Sequence, residues 1–129
     1  MTIHGDGSQC RSLIHVQDIA TAFMDTLEAP RFMREGKTFH LGEESNNKTI
    51  REIAETVKAR LPETRIQFLE GQDSDRRDYR INCQKLQNII GWKAKYSVED
   101  GINEMIEKFE ALEWDWESDK YRNSAYEYV

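Results

Sequence analysis

The sequence predicts a small mixed α/β domain in which short strands alternate with three to four helices. Apolar residues recur at helical spacing in segments that begin at capping residues and end near Pro or Gly. Short runs that carry β-branched and aromatic residues lie between those segments. Because strands and helices alternate along the chain, we also expect some parallel strand pairing.

The first helix is predicted to follow Asp18, whose short carboxylate suits an N-cap, and to stop at Pro30. Its apolar positions recur at helical spacing: Ile19, Ala22, Phe23 and Leu27. The second helix begins with a capping box formed by Thr49 and Glu52 and ends before Pro62. Its apolar stripe consists of Ile50, Ile53, Ala54, Val57 and Leu61.

Two further helices are predicted in the second half of the chain. One begins at Ser97, with Asp100 three residues later, and carries an apolar stripe of Ile102, Met105, Ile106, Phe109 and Leu112. A shorter helix is expected over 84–90, closed by Gly91 at its C-terminal end. The predicted strands are 12–16, 37–41, 65–69 and 79–83, with a polar loop over 70–78.

The chain is interpreted as one α/β domain over residues 1–113 followed by an aromatic and acidic tail over 114–129. The tail interleaves acidic residues with Trp114, Trp116, Tyr121, Tyr126 and Tyr128. Because exposed aromatic side chains are costly in water, we expect the tail to pack on the domain or on a partner.

Charge and composition exclude several classes of function. The net charge of -6 repels phosphate backbones and anionic lipid, so we expect neither nucleic-acid nor membrane binding. The sequence has no long apolar run, and its first eleven residues are polar, which favours a cytoplasmic protein. Cys10 and Cys83 are interpreted as free thiols in a reducing compartment.

We expect no metal site and no catalytic residue in this chain. His4, His15 and His40 are not at metal-ligand spacing, and no nucleophile elbow is present. His15 lies in the predicted strand at 12–16, where a structural histidine with satisfied hydrogen bonds is the simpler interpretation.

A glycine-bearing turn, GDGSQCR, covers residues 5–11. It fails as a dinucleotide fingerprint, because Cys10 stands at the third glycine position and a strand is expected to follow. The useful residue is Arg11, whose guanidinium can hold a diphosphate or a carboxylate by two hydrogen bonds. The alternative is that Arg11 is solvent-exposed or ion-paired.

Three blocks resemble, in order, the substrate domain of extended short-chain dehydrogenases, the NAD-dependent nucleotide-sugar epimerases and dehydratases. They are GDGSQCRSLIHVQDIATAF, KTFHLGEESNNKTIREIAETV and DRRDYRINCQKLQNIIGWKAKYSVEDGINEMIEKF, and they lie between residues 5 and 109. The resemblance implies the fold of the C-terminal subdomain of these enzymes. It also implies that Arg11 contacts the diphosphate or base of a nucleotide sugar, and that Arg76, Arg77 and Tyr79 line the same pocket.

The residues leave an alternative open for the closing block. Arg76, Arg77 and Arg80 stand among acidic neighbours, and exposed ion pairs of this kind are common. Their expected partners in that case are Asp73, Asp75 and Asp78.

The family performs its redox chemistry with a Rossmann GxxGxxG turn that holds NAD and with a Tyr-x-x-x-Lys pair. Neither motif occurs in this sequence. We therefore expect a fragment of such an enzyme that binds a nucleotide-diphosphate sugar, binds no cofactor alone and has no activity by itself. The alternative is a free-standing, non-catalytic assembly module derived from that family.

The resemblance also predicts a partner. In the resembled fold, the helix after Asp18 and the strand at 37–41 pack onto the Rossmann half. Without that half their apolar surfaces need another cover. We expect a homodimer, a larger assembly or a Rossmann-containing partner.

Overall fold

The computed structural model describes residues 1–69 and 77–111, and within them the chain is a mixed α/β domain, as predicted. Most of the predicted loop at 70–78, the domain limit at 113 and the predicted tail at 114–129 lie outside the described residues. The described strands are β1 (Thr2–His4), β2 (Cys10–Ser12), β3 (Asn47–Thr49) and β4 (Gln67–Leu69). The helices are α1 (Val16–Glu28), α2 (Arg31–Arg34), α3 (Ile50–Arg60), α4 (Gln84–Ile90) and α5 (Val98–Ala111).

The strands form two small sheets. β1 pairs in parallel with β4, with Ile3 opposite Phe68, which confirms the expected parallel pairing. β2 pairs antiparallel with β3, and its three register pairs are Cys10–Thr49, Arg11–Lys48 and Ser12–Asn47. A parallel pair needs a long crossover, and here the crossover contains β2, β3 and the first three helices.

The core forms where α1 meets α4 and the turn after it. Ala22, Leu86 and Trp92 are buried there, and partly buried apolar residues pack around them: Ile14, Phe39, Leu41, Ile90 and Ala94. Burying Leu86 alone contributes about 2 kcal/mol. The Trp92 indole N–H donates to the Thr21 hydroxyl at 3.1 Å, so the ring is buried without an unmet donor.

Three predicted helix boundaries are confirmed. Thr49 and Glu52 form the expected reciprocal capping box at the start of α3. Ser97 and Asp100 exchange the same pair of hydrogen bonds before α5. α4 covers the predicted range and closes on Gly91, whose φ of 86° is in the left-handed region that glycine adopts without strain.

The prediction that Asp18 caps the first helix is wrong. α1 begins at Val16, and the N-cap is His15, whose ring accepts the Gln17 amide at 3.2 Å. Asp18 lies within the first turn and is almost fully buried, and its carboxylate accepts the amides of Lys95 and Tyr96. The carboxylate that was expected to accept an amide of its own helix therefore accepts amides of a distant loop.

The strand predictions are confirmed only in part. β4 occupies the end of the predicted strand at 65–69, whereas the described chain shows no strand at 37–41 or 79–83 and only Ser12 of the one at 12–16. After β2, the Leu13 amide donates to Asn46 O, and the chain then turns toward α1. In the segment 37–41, Phe39 and Leu41 pack into the core without strand pairing.

A large apolar surface remains exposed on α1 and α2, which we call the α1–α2 apolar face. It consists of Val16, Phe23, Met24, Leu27 and Phe32, whose exposed fractions lie between 56% and 74%. The four α1 residues recur at helical spacing, so they share one side of the helix. Ala22 lies on the opposite side, in the core. Phe23 and Leu27, predicted on the same apolar stripe as Ala22, thus face outward.

The described helices include none with the length and apolar character that crossing a membrane requires.

Candidate functional site

The glycine-bearing turn at 5–11 lies against the start of α3. The Arg51 amide donates to Gly7 O and the Ile50 amide to Gln9 O, both at 3.0 Å. The Arg51 guanidinium also donates to Asp6 O at 2.6 Å. Gly7 adopts a φ of 73°, and a Cβ there would stand 3.2 Å from Arg51 N, so the close approach requires glycine. The turn directs carbonyls toward the helix, an arrangement unlike that of a phosphate-binding loop.

Arg11 follows this turn on β2, where its guanidinium links two parts of the backbone. Nη1 donates to Cys10 O at 2.8 Å and to Arg77 O at 2.6 Å. Because the carbonyls of two separate segments hold one nitrogen, the planar group has a defined orientation. The side chain is half-buried.

Tyr79 lies beside this guanidinium. The Arg11 Cζ atom is 5.3 Å from the centroid of the Tyr79 ring, and the Arg77 Cζ atom is 5.7 Å from the same centroid. Both distances are within the range of a cation–π interaction. Arg77 and Tyr79 are exposed. The structure thus brings together three of the four predicted site residues, whereas Arg76 lies outside the described residues.

The segment that carries Arg77 and Tyr79 runs alongside β2. The Tyr79 amide donates to Cys10 O at 3.1 Å, and the Cys10 amide donates to Asp78 Oδ1 at 2.6 Å. Arg80 Nε lies 3.6 Å from Asp78 Oδ2, so the ion-pair interpretation holds for Arg80. Asp73 and Asp75 lie outside the described residues.

Asn47, which was not predicted from the sequence, is hydrogen-bonded to the far end of this segment. Its side-chain amide donates to Ile81 O at 3.0 Å and accepts the Ile81 amide at 3.2 Å. Ser12 Oγ donates to the same amide oxygen of Asn47. The sequence offered only a weak signal, an Asn-Asn pair separated from the Thr49 capping box by Lys48.

A second polar cluster fixes the entry to α5. Asn46, 3% exposed, donates to Tyr96 O and accepts the Val98 amide. The His15 ring stacks on Tyr96 with centroids 4.3 Å apart, and its Nε2 lies 2.7 Å from Glu104 Oε2. Both ring nitrogens of His15 have partners, which agrees with the structural histidine expected from the sequence, although it lies outside a strand.

Three carboxyl groups have a lowered pKa, and each has a local cause. The Ser8 amide and hydroxyl lower the pKa of Asp6, and those of Thr49 lower the pKa of Glu52. The Ser97 hydroxyl and amide do the same for the pKa of Asp100. These shifts belong to turns and helix caps, which marks them as structural.

The cysteines are free and buried. Burial raises the pKa of the Cys83 thiol, which therefore stays protonated at neutral pH. The residues at 1–69 and 77–111 contain no group of three His, Cys, Asp or Glu side chains placed to hold a metal ion.

Comparisons with known proteins show which family the sequence and the fold resemble. The sequence profile of the family described as GDP-mannose 4,6 dehydratase matches residues 1–105. A trifunctional UDP-glucose 4,6-dehydratase, 3,5-epimerase and reductase from Arabidopsis thaliana is 29% identical over 109 residues, covering 83% of this chain and 16% of that protein. A dTDP-glucose 4,6-dehydratase from Xanthomonas campestris is 28% identical over 127 residues, covering 90% of this chain and 33% of that protein.

Solved structures show the same fold. The dTDP-glucose 4,6-dehydratase from Bacillus anthracis, in complex with NAD, matches 90% of this chain with a TM-score of 0.73 and 30% identity. The UDP-glucose 4-epimerase from Thermotoga maritima matches 86% with a TM-score of 0.72 and 21% identity, a likeness of fold alone. The chain spans 36% and 35% of those two structures, so it corresponds to about a third of each.

Proposed function

The chain belongs to the GDP-mannose 4,6 dehydratase family of NAD-dependent sugar dehydratases and epimerases, and we propose that it forms the nucleotide-sugar-binding portion of such an enzyme. The proposal rests on one observation. The guanidinium groups of Arg11 and Arg77 both lie within 6 Å of the Tyr79 ring, at the end of a short strand.

Two guanidinium groups at one place suit a diphosphate. A guanidinium group can donate two parallel hydrogen bonds to phosphate oxygens, and charge-assisted bonds of this kind are about twice as strong as neutral ones. The chain carries a net charge of -6, so the attraction of an anion must be local to these residues. The aromatic ring of Tyr79 adds an apolar surface next to the two cations.

Arg11 supports the proposal most strongly, because its position does not depend on a ligand. The carbonyls of Cys10 and Arg77 orient the guanidinium in the structure as it stands. A donor that is already oriented loses less conformational entropy on binding.

We propose further that this chain alone performs no hydride transfer. It contains neither the GxxGxxG turn nor the Tyr-x-x-x-Lys pair that the family uses. Incubating the chain with NAD and nucleotide sugars, and analysing the sugars by NMR for dehydrated or epimerised products, should show no turnover. Measurable turnover would contradict this part of the proposal.

Calorimetric titration tests the binding proposal. We expect the chain to bind at least one of a panel of UDP-, GDP-, CDP- and dTDP-sugars, and Arg11→Ala to weaken that binding by at least tenfold, because a charged hydrogen bond contributes about 1.5 to 3 kcal/mol. Arg11→Lys, which keeps the charge but loses the planar fork, should also weaken it.

The matched control is Arg60→Ala, an exposed arginine at the end of α3, which should leave the affinity unchanged. Absence of binding across the panel, or equal losses for the Arg11 and Arg60 variants, would contradict the proposed site.

A second candidate function is a free-standing assembly module, and the α1–α2 apolar face favours it. Exposed apolar surface of this extent is typical of a site that another chain covers. Under this hypothesis the chain forms a homodimer or a larger assembly, or binds a Rossmann-containing partner, and has no affinity for nucleotide sugars. Light scattering combined with the calorimetric panel separates the two functions.

A further inference from the structure

We infer that Asn47 is a positioning residue of the proposed site formed by Arg11, Arg77 and Tyr79, which we call the Arg11–Tyr79 site. Asn47 touches no ligand but fixes the segment that carries Arg77 and Tyr79. The inference rests on the proposed function, because it describes how the proposed nucleotide-sugar site is built. It concerns a residue of β3, the strand that pairs with β2.

The segment at 77–81 is attached to β2 by both backbone and side-chain hydrogen bonds. It runs beside β2, but the two do not form a regular strand ladder. The Tyr79 amide contributes a backbone bond to Cys10 O. Side chains supply further bonds: Asp78 accepts the Cys10 amide, and Arg11 donates to Arg77 O.

Asn47 attaches the far end of this segment. It stands opposite Ser12 in the antiparallel register, and its side chain reaches Ile81, 34 residues further along the chain. The side-chain amide engages both the N–H and the C=O of Ile81. It thus does for Ile81 what the backbone of a neighbouring strand does in a ladder.

These contacts lie close together along the chain. Tyr79 lies between Asp78, bonded to Cys10, and Ile81, bonded to Asn47. Only one residue, Arg80, separates Tyr79 from Ile81, so we expect a shift of Ile81 to displace the Tyr79 ring as well. Arg77 O, which orients Arg11, belongs to the same short segment. Asn47 therefore controls the relative position of all three proposed ligand-facing groups.

Asn46 provides a matched control. It is the same residue type at the preceding position, and its side chain also makes one donated and one accepted hydrogen bond to the backbone. Those bonds go to Tyr96 and Val98, at the entry to α5. Loss of Asn46 should therefore reduce stability without disturbing the Arg11–Tyr79 site.

The test compares Asn47→Ala with Asn46→Ala by amide hydrogen exchange and by calorimetric titration with the nucleotide sugar that the unchanged chain binds. In Asn47→Ala we expect the amides of Tyr79 and Ile81 to exchange at least about tenfold faster, and affinity to fall about tenfold, since both side-chain hydrogen bonds to Ile81 are lost. In Asn46→Ala the Val98 amide should exchange faster while the affinity of the folded protein stays unchanged.

If Asn47→Ala does not fold, Asn47→Asp serves in its place. It keeps an oxygen that can accept the Ile81 amide and loses the donor to Ile81 O. We expect a moderate increase in the exchange rate of the Ile81 amide and a reduced affinity for the nucleotide sugar.

Two results would overturn the inference: unchanged exchange at Tyr79 and Ile81 in the Asn47 variants, or faster exchange there with unchanged affinity. If the unchanged chain binds no sugar in the panel, the proposed function fails, and the exchange rates alone decide the role of Asn47. Faster exchange at Tyr79 and Ile81 then still supports its positioning of the segment.

Discussion

Asp18 carries a carboxylate that is 1% exposed, on the first turn of α1. Its two oxygens accept the amides of Lys95 and Tyr96 at 2.9 and 3.1 Å. A buried carboxylate is tolerated when hydrogen bonds replace its hydration, and here two backbone N–H groups do so. Together with Asn46, Asp18 fixes the segment that enters α5.

We expect Asp18→Ala to lower the free energy of unfolding by roughly 3 kcal/mol, because two amides at the buried site lose their acceptor. Chemical denaturation measures the change. Asp25→Ala, at an exposed position of the same helix, should change it by less than about 0.5 kcal/mol. Equal effects of the two substitutions would contradict the role of Asp18.

The residues that the sequence did not reveal are those whose partners are distant. Asp18 has the local appearance of an N-cap, yet its partners lie 77 and 78 residues away. Asn47 likewise acts on Ile81, 34 residues away. Arg11, Arg77 and Tyr79 could be predicted as candidates because the order of the sequence blocks resembles a family. Their proximity, in contrast, is visible only in the fold.

At the scale of elements, local signals predicted the helices well. The two capping boxes and Gly91 lie within a few residues of the groups they satisfy, so the sequence contains the whole interaction. Strands need partners from elsewhere. Next to 79–83, the side chains of Asp78 and Asn47 make hydrogen bonds to backbone groups that a neighbouring strand would bond in a ladder. No strand forms there.

The capping box at the start of α5 should respond to acid. A carboxyl whose pKa is lowered in the folded state stabilises the fold above its unfolded pKa, and this contribution is lost as the pH falls through the folded pKa. Since the ordinary value for Asp100 is 3.8, its contribution should persist at neutral pH and disappear only below about pH 4.

We expect Ser97→Ala to raise the pKa of Asp100 toward 3.8, because the hydroxyl that stabilises its charged form is removed. A pH titration followed by NMR of the side-chain carboxyl carbons measures this shift. Glu52 in the other capping box is the internal control, and its pKa should stay lowered. An unchanged pKa of Asp100 would contradict the assignment of its cause to Ser97.

At the scale of the whole molecule, the described residues leave the apolar side chains of the α1–α2 apolar face exposed. Phe32 is 74% exposed and Val16 68%, although the opposite side of α1 packs into the core. The chain spans 33% of the dehydratase from Xanthomonas campestris and 36% of the dehydratase structure from Bacillus anthracis. We propose that in isolation two copies of the chain cover this face.

We expect light scattering to show a dimer or a larger assembly at micromolar concentration, and Phe23→Glu to shift it toward monomer by placing a charge within the apolar face. Met105→Glu, at an exposed apolar position on α5, is the control and should leave the assembly unchanged. A clean monomer of the unchanged chain at that concentration would contradict self-association.

The central claim is that Arg11, Arg77 and Tyr79 form a nucleotide-sugar site. NMR of the chain during titration with the best-binding UDP-, GDP-, CDP- or dTDP-sugar tests it most directly. We expect saturable shifts concentrated at the Arg11 side chain, the Tyr79 ring and the amides of 77–81, with the α5 amides unchanged. Shifts centred on α5, or no shifts with any of the four nucleotides, would contradict it.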